Sequence, residues 1–157
     1  TGVQTCALPI LPASVAILAP GVNAFRRLRK NLTEPVFNSW GYNTRSAALR
    51  IPCSDESNRR IEYRLAGADA NPYLVTATIL TGMLYGLEHI DEGDLPEPQH
   101  DQPELPLFQQ EAIEAFARCQ YLTDSLGDAF SEQWVACKLS ELDWFERIVT
   151  QEESHLA

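Results

Sequence analysis

The stretch Arg59-Arg60-Ile61-Glu62-Tyr63-Arg64, followed closely by Ala68-Asp69-Ala70-Asn71-Pro72-Tyr73, constrains the fold more than any other part of the chain. Arg60, Glu62 and Arg64 are spaced by two. On a strand they share one face, and Ile61 and Tyr63 share the other, apolar one. Asp69 or Asn71 can then cap a helix with Pro72 in its first turn, where a missing N–H costs nothing. A strand therefore hands over to a helix within a few residues. The helix runs to about Glu88 and is apolar nearly all round: Tyr73, Leu74, Val75, Ile79, Leu80, Met83, Leu84 and Leu87. Such a helix is central to a core or spans a membrane. Thr76, Thr78, Thr81, Gly82 and Gly86 weaken a span, and the acidic flank 88–94 offers no basic anchor, so the expectation is a core helix.

The other elements follow from periodicity and turn chemistry. Residues 23–28 form a short helix or turn that buries Phe25 and Leu28, and residues 30–35 form a polar loop. Residues 36–40 and 47–51 are strands, and the turn formers at 53–58 join the second to a strand over 59–65. That makes an antiparallel hairpin with arginines on both arms. Residues 91–106, with four prolines and six acids, are an exposed acidic loop. Residues 109–122 are an amphipathic helix burying Ile113, Phe116 and Leu122, and 124–130 is a short helix or turn around Gly127. A final helix over 131–153 presents Trp134, Cys137 or Lys138, Leu142, Phe145 and Val149 as a packing stripe. The fold class is α+β, with antiparallel strands in an incomplete sheet backed by helices.

Charge separates the chain into two parts. Residues 26–64 hold nine of the twelve Lys and Arg but only four acids, whereas from residue 65 onward eighteen acids face three bases. Arg-x-Glu-x-Arg by itself is more often a surface ion-pair ladder than an anion site. A basic block inside a protein of net charge −10 concentrates positive potential where an anion could sit. The overall acidity disfavours general nucleic-acid and membrane-surface binding. Four cysteines without C-x-x-C spacing give no zinc or disulfide signature, and Cys53, Cys119 and Cys137 read as reduced thiols in a cytoplasmic protein. The three histidines lack ligand-like spacing, and no Walker or Rossmann glycine pattern occurs.

The first ten residues, T-G-V-Q-T-C-A-L-P-I, look like the translation of a sequencing adapter and are set apart from fold reasoning as a fusion scar is. The apolar stretch 6–22 lacks a basic leader and is interrupted by Pro9, Pro12 and Pro20, so no export signal is read in it. The natural protein is expected to begin upstream of Leu11.

Four blocks, N-A-F-R-R-L (23–28), N-T-R-S-A-A-L-R-I-P (43–52), R-R-I-E-Y-R (59–64) and G-A-D-A-N-P-Y-L (67–74), resemble in order and spacing the C-terminal catalytic half of the glutamine synthetase family. The resemblance runs from about Ala19 to the end, making 11–157 the C-terminal part of such a domain, with 107–157 as its terminal helices. F-E-R-I-V-T-Q-E (145–152) is similar to the members that join glutamate to amines, the γ-glutamylpolyamine synthetases. Ala136-Cys137-Lys138 stands without the histidine that precedes it in that subgroup.

The resemblance implies a role for each matching position. Arg27 and Arg64 hold the substrate glutamate. Arg45 contacts both ATP phosphate and the reacting γ-carboxylate, which makes it the catalytic candidate. Arg50 and Arg60 bind ATP phosphate, and Glu62 ligates a divalent Mg2+ or Mn2+ ion. ATP converts the γ-carboxylate to an acyl phosphate, and an amine then displaces phosphate. Guanidinium forks and hard carboxylate oxygens suit that chemistry, because transfer to a carboxylate gathers anions. Arg45 and Arg50 are five apart and would face opposite ways on a regular strand, so either a turn or bulge lies between them or, as favoured here, Arg45 sits in the preceding loop. The family also implies a homo-oligomer of stacked rings, whose N-terminal domain and other metal-binding residues have no counterpart here.

One departure bears on the amine. Ammonia-using members carry P-G-x-E-A-P after the glutamate-binding arginine. Here Thr33 stands at the flap position, Glu34 is displaced by one, and the P-G pair is absent. A missing anionic flap weakens an ammonium site and leaves room for putrescine, a polyamine or a monoamine. The competing readings are glutamine synthetase proper, a non-catalytic relative, and a small module that merely docks phosphate. A ligase fragment, unlike a self-sufficient module, exposes an apolar edge where its missing partners belong.

Overall fold

The computed structural model describes residues 8–30, 34–89, 104–149 and 151. A 3-10 turn, Leu8–Ile10, leads straight into helix α1, Leu11–Leu18. Leu11, Val15 and Leu18 are wholly buried, and so is Ser14, whose hydroxyl donates to the Ile10 carbonyl at 2.9 Å. The sequence assigns no element to this stretch, which Pro9, Pro12 and Pro20 interrupt. Pro12 lies in the first turn and Pro20 beyond the last, so neither removes a helical hydrogen bond. The packing also runs through the boundary drawn at residue 10, since Leu8 and Ile10 are buried.

Helix α2, Val22–Arg27, turns off α1 and buries Ala24 and Phe25. Three short strands follow: β1 (Trp40–Tyr42), β2 (Leu49–Ile51) and β3 (Glu62–Tyr63). β2 and β3 are antiparallel, with Leu49 opposite Tyr63 and Arg50 opposite Glu62. The strand expected at 36–40 lies later, and β1 runs parallel to β2, not antiparallel. The sheet is thus a mixed, three-stranded one in the order β1-β2-β3. Asn43 starts the return with φ at 51°, a left-handed conformation that asparagine tolerates, and its amide donates to Ile51. Phe37 instead bridges Glu104, outside the sheet.

Helix α3, Pro72–Glu88, starts where expected. The Asn71 side chain accepts from the amides of Tyr73 (2.9 Å) and Leu74 (3.4 Å), with Pro72 in the first turn. Its orientation corrects the expectation of an all-round core helix. The buried residues are Thr78, Thr81, Gly82 and Gly86, whereas Tyr73, Leu80, Met83, Leu84 and Leu87 are exposed. The small residues permit a close approach to α1, and nothing among the described residues covers the large ones. No helix of the described residues is long and apolar enough to cross a membrane.

The amphipathic helix expected over 109–122 is two helices, α4 (Gln109–Arg118) and α5 (Gln120–Leu126), broken at Cys119. Ile113, Phe116 and Leu122 are buried as their spacing requires. Gly127, at φ 90°, makes the turn into α6, Asp128–Glu146. The core gathers α1, Phe25, Leu28, Leu49, Leu65, Leu105, Phe116 and Leu122. Along the α6 stripe Trp134 stacks on Phe130 and carries Lys138 at 4.7 Å over its ring, while Val149 lies beyond the helix and is exposed. The acidic stretch over 90–103 falls outside the described residues.

Candidate functional site

β2 alternates buried, half-exposed and buried at Leu49, Arg50 and Ile51. Two aliphatic side chains therefore enter the core and Arg50 points to the opposite face. Directly opposed residues of an antiparallel pair share a face, so Glu62 stands beside it. The contact is an ion pair: Arg50 Nη1 donates to Glu62 Oε2 at 2.8 Å. Arg60 Nη2 lies 3.6 Å from the other oxygen, Glu62 Oε1. Arg50 Nη2 also donates to Asn43 Oδ1 at 3.0 Å, and Arg60 Nη1 to the Asn58 carbonyl at 3.3 Å. The Arg50 and Glu62 side chains keep 18% and 31% of their surface open to solvent, so the group is accessible.

The turn between β2 and β3 is held by Asp55. Its side chain accepts from the Ser57 hydroxyl (2.8 Å) and from the Asn58 amide (2.9 Å) and side chain (2.8 Å). Those bonds, Ser57's first, hold the Asp55 carboxyl below its usual range. This anchors Asn58, whose carbonyl in turn receives Arg60.

Arg27, at the end of α2, forms a second charged group. Its Nη2 donates to the Leu65 carbonyl at 3.0 Å and its Nη1 to Glu34 Oε2 at 3.1 Å. Gly67 leaves room for this: a Cβ there would collide with the Asp69 carboxylate and stand 3.3 Å from Arg27 Nη2. Arg64, just past β3, is half-buried and donates its amide to the Ala48 carbonyl at 3.0 Å. Arg27 and Arg64 thus meet the chain on either side of Leu65. Arg45 is exposed in the connection between β1 and β2, in the loop, the favoured of its two expected placements.

Of the six residues singled out in the sequence, Arg50, Arg60 and Glu62 are brought into direct contact. Arg27 joins the same strand region through Leu65, and Arg45 stands in the loop that leads into β2. Four participants carry no assigned role in the sequence: Asn43 as an acceptor for Arg50, the Asn58 carbonyl as the acceptor for Arg60, Asp55 as the anchor of Asn58, and Glu34 as the partner of Arg27. The sequence signal for Asn43 was its place at a turn before a strand. The sequence marks Glu34 only as a displaced flap residue, and Thr33 lies outside the described residues.

A divalent ion needs several hard oxygen ligands. Among the described residues no group of three or more His, Cys, Asp or Glu could hold a metal. Glu62 offers one carboxylate, and both its oxygens face guanidinium groups. These residues alone do not fit a metal centre. They fit an oxyanion, for which two guanidinium groups on one open face are suited.

The family model described as "Glutamine synthetase, catalytic domain" matches residues 5–156. The chain is 43% identical over 152 residues to the Gamma-glutamylputrescine synthetase PuuA of Escherichia coli (strain K12), covering 93% of this chain and 32% of that protein. It is 31% identical over 156 residues to the Glutamine synthetase of Pyrococcus woesei, covering 92% of this chain and 35% of that protein. The solved structure described as "Apo GmaS without ligand" superposes with a TM-score of 0.83 at 25% identity, over 98% of this chain and 37% of that one. The chain therefore spans about a third of the length of the relatives it matches.

Proposed function

Because the chain belongs to the glutamine synthetase family, as part of its catalytic domain, we propose that it forms one wall of the active site of an ATP-dependent glutamate–amine ligase. The observation that carries the reading is the Arg50–Glu62–Arg60 group on the sheet face turned away from the core. Arg45, Arg50 and Arg60 take the phosphates of ATP, and Arg27 and Arg64 take glutamate. A γ-carboxylate oxygen attacks the terminal phosphorus, and the bond to the ADP oxygen breaks with its electron pair. The amine nitrogen then attacks the acyl carbon, phosphate leaves, and the nitrogen loses a proton. Guanidinium groups fixed on a strand and its adjoining loop neutralise charge as it gathers, without reorganising. A divalent ion bound with the nucleotide would supply further charge neutralisation. Glu62 would give it one carboxylate, with the rest of its ligands drawn from the remaining two thirds of a full-length relative.

Putrescine or a similar small amine is the preferred second substrate. Two observations support this: the 43% identity to a γ-glutamylputrescine synthetase against 31% to a glutamine synthetase, and the pairing of Glu34 with Arg27, which leaves that carboxylate neutralised. Ammonia is the second reading, favoured by the presence of any carboxylate in this loop. A cytoplasmic homo-oligomer completes the proposal. The test is a chimaera in which this chain replaces the matching third of PuuA. ATP-dependent γ-glutamylputrescine formation that Arg45→Ala and Arg50→Ala each abolish is the expected outcome. An assembled chimaera that makes only glutamine refutes the amine assignment, and one active despite both substitutions refutes the site.

A further inference from the structure

Glu62 is held by two of the arginines that phosphate binding requires. Arg50 reaches Oε2 at 2.8 Å and Arg60 reaches Oε1 at 3.6 Å, so each carboxylate oxygen meets a different guanidinium. A phosphate edge presents two oxygens to guanidinium donors in the same manner. Of the other Arg50 nitrogens, Nη2 is taken by Asn43, and the buried Nε has no hydrogen-bond partner among the described residues. We propose that Glu62 is an internal stand-in for phosphate, which occupies Arg50 and Arg60 and must be displaced by the incoming oxyanion. The inference rests on the reading of these two arginines as phosphate ligands.

The physical case has two parts. Without a carboxylate between them, Arg50 and Arg60 would set two positive charges against each other on one sheet face. Glu62 relieves that repulsion and keeps both side chains in place. An arriving polyanion takes over the same role, and Glu62 then becomes both redundant and repulsive. Its carboxylate must turn away, which frees it for another cation. Because the group is partly exposed, water and salt screen these terms and the competition amounts to several-fold rather than many orders of magnitude.

Pyrophosphate binding to the whole 157-residue chain, measured by calorimetry in excess EDTA, tests this. Glu62→Gln keeps the shape and removes the charge, and it should tighten binding by roughly threefold to tenfold, the scale of partly exposed ion pairs. Glu62→Asp withdraws the carboxylate by one methylene and should tighten binding by less, which keeps a readout if the glutamine variant folds poorly by circular dichroism. Equal or weaker binding by folded Glu62→Gln, with binding still abolished by Arg50→Gln, overturns the stand-in and leaves the phosphate reading intact. Absence of pyrophosphate binding in both the wild-type chain and the Glu62 variants overturns the phosphate reading, and the stand-in falls with it.

Discussion

Helix α3 presents its large side chains outward, and this gives a quantitative contrast with the core. Phe116 is 0% exposed, among α1, α4 and α5, and Phe116→Ala should cost about 3–5 kcal/mol, the transfer loss plus a cavity. Leu84 is 49% exposed, so only part of its burial is lost on truncation, and a site open to solvent leaves no closed cavity. Half of the roughly 1.5–3 kcal/mol for burying a leucine is about 1 kcal/mol. The better helix propensity of alanine returns a few tenths. Leu84→Ala should therefore cost about 0.5–1 kcal/mol. Urea denaturation followed by far-ultraviolet circular dichroism gives both values, provided the slope of the transition is unchanged. The pair should be measured at two protein concentrations, because a face covered by another copy makes stability concentration-dependent. If Leu84→Ala costs as much as Phe116→Ala at both concentrations, α3 is not oriented as described and the reasoning fails.

Other outcomes follow from individual contacts. Asn71→Ala should destabilise the chain by about 1 kcal/mol, the usual loss for an N-cap, with Asn71→Asp close to wild type in the same denaturation experiment. Arg27→Lys keeps the charge but loses the fork that spans Glu34 and the Leu65 carbonyl; in the chimaera it should raise the KM for glutamate at least about tenfold. Tyr121 is pushed up to about 12 by burial and then by its hydrogen bond to Glu88, and burial pushes Tyr63 up as well. Both stay protonated when folded at a pH where the unfolded chain ionises, near 10. Stability should accordingly fall as pH rises from about 10 towards 12, and Tyr63→Phe and Tyr121→Phe should each flatten that fall. At neutral pH Tyr63→Phe should be neutral or stabilising, since its buried hydroxyl has no hydrogen-bond partner among the described residues.

How far the fold was legible depended on whether a residue's role was local. The Asn71-Pro72 start of α3 is local chemistry and reads directly, as does the two-residue spacing of Arg60 and Glu62, whereas Arg50 comes opposite Glu62 only through the register of β2 and β3. The inward face of α3 does not read, because a helix apolar all round has no direction and the choice fell to burial of the small residues Thr78, Thr81, Gly82 and Gly86. α1 was hidden by prolines that look like breakers but sit at its ends. The parallel pairing of β1 depends on a short return through Asn43, a tertiary outcome that no periodicity encodes. The site divides in the same way. Arg60 and Glu62 are strand or strand-flanking residues with a readable spacing, whereas the pairing of Glu34 with Arg27 arises where a loop folds back.

The central claim, that this chain is one wall of a site that activates a carboxylate with phosphate, has a direct isotopic test. The PuuA chimaera is supplied with glutamate carrying 18O in its γ-carboxylate, together with ATP and putrescine, and the released phosphate is examined by mass spectrometry. An acyl phosphate intermediate transfers one labelled oxygen to phosphate for each amide formed, and Arg45→Ala and Arg50→Ala should each abolish both products together. Amide formation with unlabelled phosphate, or labelled phosphate undiminished by both substitutions, would contradict the account.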